Sequence, residues 1–157
     1  APAAATAEAP HGEGRLRRIL LAVDGSEPCA RATQRVIDMR AGMASPAALD
    51  LHVLNVQRPV SGGVSSFVAK KSLSEYYAER GTAALAPALK LLDEAGMRYQ
   101  ALQRIGNPGE TIAKEAQTLA CDLIVWGTRG QGAAATLLGS VAQSTIEESD
   151  IPVMLVK

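Results

Sequence analysis

The sequence predicts one α/β domain, a parallel sheet with helices on both of its faces. Three observations lead to that class. Short aliphatic runs recur along the chain and stop at turn residues, which is the pattern of fully buried strands. Helix-spaced apolar residues fill the intervals, so strands and helices alternate and the strands pair in parallel through right-handed crossovers. Of the 157 residues, 47% are apolar and only 3% aromatic, so the core is mostly Ala, Leu and Val, which suits helices laid on aliphatic strands.

Residues 19–23 read as the first strand, halted by Asp24, Gly25 and Ser26. Ser26 is placed to cap the next helix, with Glu27 and Pro28 in its first turn. Ala32, Val36 and Met39 recur at helical spacing, and Gly42 ends the helix. Residues 49–56 are the second strand, followed by a polar loop with Pro59, Gly62 and Gly63. A helical pattern over 67–95 carries Leu85, Leu89 and Leu92 on one face. Gly81 and Pro87 are expected to break or kink it. In the third strand, 97–105, Met97, Tyr99 and Ala101 alternate with Arg98 and Gln100, the mark of an edge strand or of one with a wet face. Asn107 caps the following helix, with Pro108 at its first position and Glu110 placed to reach back; it runs to Leu119. Residues 123–126 are the fourth strand, 138–148 a helix and 151–156 the last strand. Residues 1–16 read as a flexible tail and 17–157 as one domain.

Several function classes are disfavoured. Sixteen basic and sixteen acidic residues cancel, which speaks against a nucleic-acid or polybasic membrane surface. No apolar run approaches the ~20 residues of a spanning helix. Residues 1–18 lack the apolar segment of a signal peptide, so none is expected. Cys29 and Cys121 form no disulfide framework, so a reducing, cytoplasmic location is expected. His11 and His52 are too far apart to bind a metal by local spacing. Cys29 sits in a first helical turn, where a thiol pKa can fall, but packing is the expected role. His52 is expected in the core or at an edge. No nucleophile with a paired base is visible, so no catalytic residue is assigned.

In an open parallel sheet a ligand binds outside the carboxyl ends of the strands, where strand order reverses. Two loops stand at such ends: Asp24-Gly25-Ser26, and the stretch from Gly127 to Ser140. Glycine lets a backbone approach an anion, and the helix start beyond Gly139 offers free N–H groups to a phosphate. Arg129 adds a cation.

The run Ile19-Leu20-Leu21-Ala22-Val23-Asp24-Gly25-Ser26 resembles the first strand and turn of the universal stress protein family. So do Leu54-Asn55-Val56 at the end of the second strand, Gly127-Thr128-Arg129-Gly130 with Leu137-Leu138-Gly139-Ser140-Val141-Ala142, and the closing Pro152-Val153-Met154-Leu155-Val156. That resemblance implies a Rossmann-like three-layer sandwich with a five-stranded parallel sheet in the order 3-2-1-4-5. It also implies an adenine nucleotide, ATP, ADP or AMP, with Mg²⁺ carried on the phosphates. Asp24, with Gly25 and Ser26, and Val56 would lie near the adenine and ribose. Gly127, Arg129, Gly130, Gly139, Ser140 and Val141 would lie along the phosphate loop. A homodimer through the last strand, and an unidentified protein partner in a stress response, follow from the same resemblance. The eight residues between Gly130 and Gly139 are one fewer than the family's ATP-binding spacing.

Overall fold

The computed structural model of the chain describes residues 16–60, 70–128 and 140–157. Each aliphatic run becomes a strand: β1 (Arg18–Ala22), β2 (Asp50–Gln57), β3 (Gln100–Ile105), β4 (Leu123–Gly127) and β5 (Val153–Val156). Between them lie α1 (Glu27–Ala41), α2 (Lys70–Glu94), α3 (Pro108–Thr118) and α4 (Ser140–Glu148), with a short 3-10 turn at Pro46–Ala48. The five strands are all parallel, in the order β3-β2-β1-β4-β5.

Central position explains the unbroken apolar runs. Leu21 of β1 pairs with Val53 on one side and Val125 on the other. Successive side chains point to opposite faces. Ile19, Leu21 and Val53 therefore meet Val36 of α1 and Leu85 and Leu92 of α2. Leu20, Leu54 and Ile124 meet Ile112 and Ala116 of α3 on the other face. Gly109 of α3 lets α4 approach, because a Cβ there would strike the Ser144 side chain.

Three expectations are corrected. First, α2 is one helix that continues through Gly81 and Pro87. Gly81 answers a packing need: a Cβ there would run into the Gln103 side chain of β3. Pro87 deprives the Ala83 carbonyl of its helical N–H partner, and that carbonyl lies 3.7 Å from where a Gly25 Cβ would stand. Second, β3 begins at Gln100. Met97 turns its side chain into the core, and its N–H donates to Leu92 O at 3.0 Å, so the chain before Gln100 closes off α2. Gly96 makes that reversal at φ +70°. The strand is an edge strand and largely exposed, and Ala101 is exposed rather than inward. Third, Ser26 occupies the cap position of α1 without a side-chain cap bond; its N–H is engaged by Asp24 instead. By contrast, Asn107 caps α3, its side chain accepting from Glu110 N–H at 3.3 Å. β1, β4 and β5 differ from the sequence reading only by one or two terminal residues.

The amino end of the sheet is tied by charge. Arg18 Nε donates to Asp50 Oδ2 at 2.6 Å, and His52 Nε2 lies 3.1 Å from Asp50 Oδ1. His52 is thus a core histidine, 5% exposed. Cys121, just before β4, is fully buried, and burial pushes its thiol up to about 12.

Candidate functional site

The carboxyl ends of β1, β2 and β4 open into a cavity of about 410 Å³. Its apolar surface comes from Leu54, Val56, Ile112 and Trp126. Polar groups converge on it from Asp24, Asn55, Gln57, Arg58 and Arg80. The recess mixes apolar surface with converging polar groups, which suits a small molecule that carries both.

The polar side is built by a relay. Asn55 is buried at the end of β2. Its Nδ2 donates to Val23 O at 2.8 Å, and its Oδ1 accepts from Gln57 Nε2 at 2.7 Å. Gln57 Oε1 in turn accepts from Arg80 Nε at 3.3 Å. The Arg80 guanidinium lies 5.5 Å from the centre of the Tyr76 ring, a cation–π arrangement that holds it at the cavity wall. Tyr77 Oη accepts from Val60 N–H at 2.8 Å, so α2 also anchors the chain leaving β2.

Asp24 stands at the mouth, where β1 gives way to α1. Its Oδ1 accepts from Ser26 N–H at 2.9 Å and from the Cys29 thiol at 3.1 Å. Its own N–H donates to Cys29 Sγ at 3.4 Å. Burial alone would raise the Asp24 carboxyl, but hydrogen bonds from the Ser26 and Cys29 side chains and from backbone N–H groups hold it below its ordinary 3.8. Burial, and then the Asp24 charge, push the Cys29 thiol up to about 11. The thiol at the start of α1 is therefore not a low-pKa one: burial first, and the carboxylate beside it second, favour its protonated form.

Two glycines bring the loops together. Gly25 has φ +86°, in the left-handed region, and a Cβ there would stand 3.2 Å from Ala84 Cα. At Gly127 a Cβ would strike the Pro28 carbonyl group and Cys29 N. The end of β4 therefore packs directly on the first turn of α1, which requires glycine whatever the ligand.

Of the residues read from sequence, Asp24 and Val56 line the cavity, Gly25 and Ser26 complete the Asp24 turn, and Gly127 ends β4. Arg129, Gly130 and Gly139 lie outside the described residues. Ser140 and Val141 open α4; their side chains also lie outside the description. Sequence reasoning missed Trp126, Arg58, Arg80 and Tyr76 as lining residues. Trp126 had a signal: it is the single tryptophan, and it ends an aliphatic strand. Arg80 and Tyr76 had none, because they arrive from a helix on another part of the chain.

This is an open parallel α/β fold with a recess at its strand ends. The family model described as the universal stress protein family matches residues 15–157, and the chain belongs to that family. Universal stress protein MJ0531 of Methanocaldococcus jannaschii is 30% identical over 148 residues, covering 94% of this chain and 85% of that protein. Among solved structures, protein MJ0577 of the same organism superposes with a TM-score of 0.71 at 25% identity, covering 90% of this chain and 95% of that one. A universal stress protein family protein of Arabidopsis thaliana with AMP bound has a TM-score of 0.62 at 19% identity, covering 90% and 91%. A universal stress protein in complex with cAMP also has a TM-score of 0.62, at 22% identity, covering 90% and 97%. Among the described residues no helix is long and apolar enough to cross a membrane.

Proposed function

We propose that this domain binds an adenine nucleotide in the recess above β1, β2 and β4, and that the bound state is read by a partner protein in a stress response. The observation that carries the reading is the Asp24 carboxylate, fixed by donors from Ser26 and Cys29 beside the apolar surface of Val56 and Trp126. An ionised carboxylate suits the hydroxyls of a ribose, and aliphatic and indole surfaces suit a purine. Structural neighbours holding AMP and cAMP support the ligand class. In this reading Asp24, Gly25, Ser26 and Val56 serve the nucleoside. The phosphates extend along Gly127, Arg129, Gly130, Gly139, Ser140 and Val141, toward the free N–H groups that open α4. ATP is the favoured ligand, with ADP and AMP as alternatives. Mg²⁺ would come with ATP, held by phosphate and water, and would offset the phosphate charge. The described residues contain no His, Cys, Asp and Glu cluster suited to an independent metal site.

Calorimetry, with Trp126 fluorescence as a second signal, tests this. ATP should bind more tightly than adenosine. Ser140→Ala should cost ATP about 1.5–3 kcal/mol, a ten- to hundredfold loss, and leave adenosine unchanged. ATP binding no better than adenosine, with Ser140→Ala silent, would remove the phosphate site. Turnover of ATP in the same samples would make the protein a slow ATPase or nucleotidyl transferase instead.

The short loop between Gly130 and Gly139 favours a second reading, a nucleotide-free dimeric scaffold. In both readings β5, an outer strand with four half-buried residues, pairs with a second copy. An apolar sheet edge is a pairing surface. Light scattering should give a dimer, and Val153→Lys with Leu155→Lys should give monomer or aggregate. A monomeric wild type at high concentration would refute the pairing.

A further inference from the structure

We infer that Cys29 is a positioning residue for Asp24: its thiol holds the carboxylate in the orientation that receives a donor from the ligand. This rests on the nucleotide reading above. Cys29 is 2% exposed, and its Sγ lies 3.1 Å from Asp24 Oδ1, 3.4 Å from Asp24 N and 3.8 Å from Ala22 O. The thiol thus donates to the Asp24 side chain and accepts from its backbone. Ser26 N–H donates to the same Oδ1. Both of these bonds fall on Oδ1, and the Ser26 side chain is a further donor to the carboxylate.

Such a clamp has a purpose here. Asp24 is exposed and is followed by Gly25 in the left-handed region, so little packing would otherwise hold its side chain. Cys29 itself is well held. Its carbonyl accepts from Thr33 Oγ1 at 2.8 Å, and its backbone N is the atom against which Gly127 packs. The thiol therefore ties the nucleoside carboxylate to the strand that leads into the phosphate loop. Burial and the Asp24 charge keep the thiol protonated near neutral pH, so it stays a donor.

The test uses adenosine as the probe, with Cys29→Ala, Cys29→Ser, Asp24→Asn and the Cys29→Ala/Asp24→Asn double variant. Circular dichroism confirms that each is folded. Cys29→Ala should weaken adenosine about three- to tenfold, the worth of one hydrogen bond, and should raise the Asp24 pKa in an NMR titration. Cys29→Ser restores a donor and should recover most of both. In the Asp24→Asn background, Cys29→Ala should cost nothing further, because the partner is gone. The same loss in both backgrounds, or an unmoved Asp24 pKa, would reduce Cys29 to a packing residue. If wild-type protein does not bind adenosine at all, the nucleotide reading falls, while the Asp24 titration in Cys29→Ala still decides whether the thiol governs that carboxylate.

Discussion

The two ends of the sheet both carry carboxylates, and they treat them in opposite ways. At the amino end Asp122 Oδ2 accepts from the N–H groups of Arg17 and Arg18 at 2.9 and 2.8 Å. Arg18 spans the gap, with Nε on Asp50 and Nη1 on Leu119 O, both at 2.6 Å. Asp50 is matched by the Arg18 charge and Asp122 holds two backbone N–H groups, so strands β1, β2 and β4 are clasped where they begin. At the carboxyl end Asp24 is met by uncharged donors alone among the described residues. Arg58 and Arg80 line the same cavity, and neither forms an ion pair with it. A carboxylate matched inside the fold contributes to stability, whereas one without a charged partner leaves its field acting on the cavity. The half-exposed Arg18–Asp50 pair is itself worth no more than about 1 kcal/mol. The larger share of the clasp comes from Asp122 holding two backbone N–H groups.

The comparison can be broken most severely at Gly127. Gly127→Val drives a branched side chain into the Pro28 carbonyl and Cys29 N, and should cost on the order of 3 kcal/mol in urea denaturation. Survival at full stability would mean that β4 and α1 are not locked together. Next comes a paired measurement. Asp122→Ala should cost about 2 kcal/mol of stability and leave adenosine affinity intact. Asp24→Asn should cost less than about 0.5 kcal/mol of stability and weaken adenosine about tenfold or more. Equal stability losses would erase the distinction between the two ends.

The smallest effect near neutral pH is titration. Asp24 is lowered below its ordinary 3.8, so its contribution to stability is present above pH 3.8 and is lost as pH falls through the lowered value. Adenosine affinity should follow the same acid limb. The thiols act on the alkaline side. Both are raised from 9.0, Cys29 to about 11 and Cys121 to about 12. Their contribution is complete below pH 9.0 and is lost as pH climbs through 11 to 12. Urea midpoints across pH check both limbs. At pH 8 neither thiol should react with iodoacetamide until the protein unfolds.

Much of the fold was legible because burial on both faces writes itself as an uninterrupted aliphatic run, as in Leu20 to Val23 and Ile124 to Val125. The edge position of β3 came with the strand order that the family resemblance implies, since Met97 and Tyr99 precede the strand and Ala101 is exposed; the start of α3 was legible in Asn107 and Pro108. The continuity of α2 was not legible. Gly81 and Pro87 read as breakers locally, and only the packing of Gln103 and the Gly25 turn against that helix accounts for them. Within the site, Asp24 could be picked out because it sits where the first apolar run ends, whereas Val56 came only with the family resemblance. Tyr76 and Arg80 could not, since helical spacing alone does not say which turn of α2 overlooks the strand ends.

By itself the sequence determined where the strands and helices fall, to within a few residues, and which loops stand at the carboxyl ends of the strands, because burial and turn chemistry act over a few neighbouring residues. Only the tertiary structure decided which carboxylate lacks a charged partner among the described residues. Asp24, Asp50 and Asp122 each flank a buried strand and look alike in sequence. Asp50 is matched by an arginine 32 residues away and Asp122 by backbone N–H groups 104 and 105 residues away. Charge pairing depends on distance in space, and the crossovers of the parallel sheet set that distance.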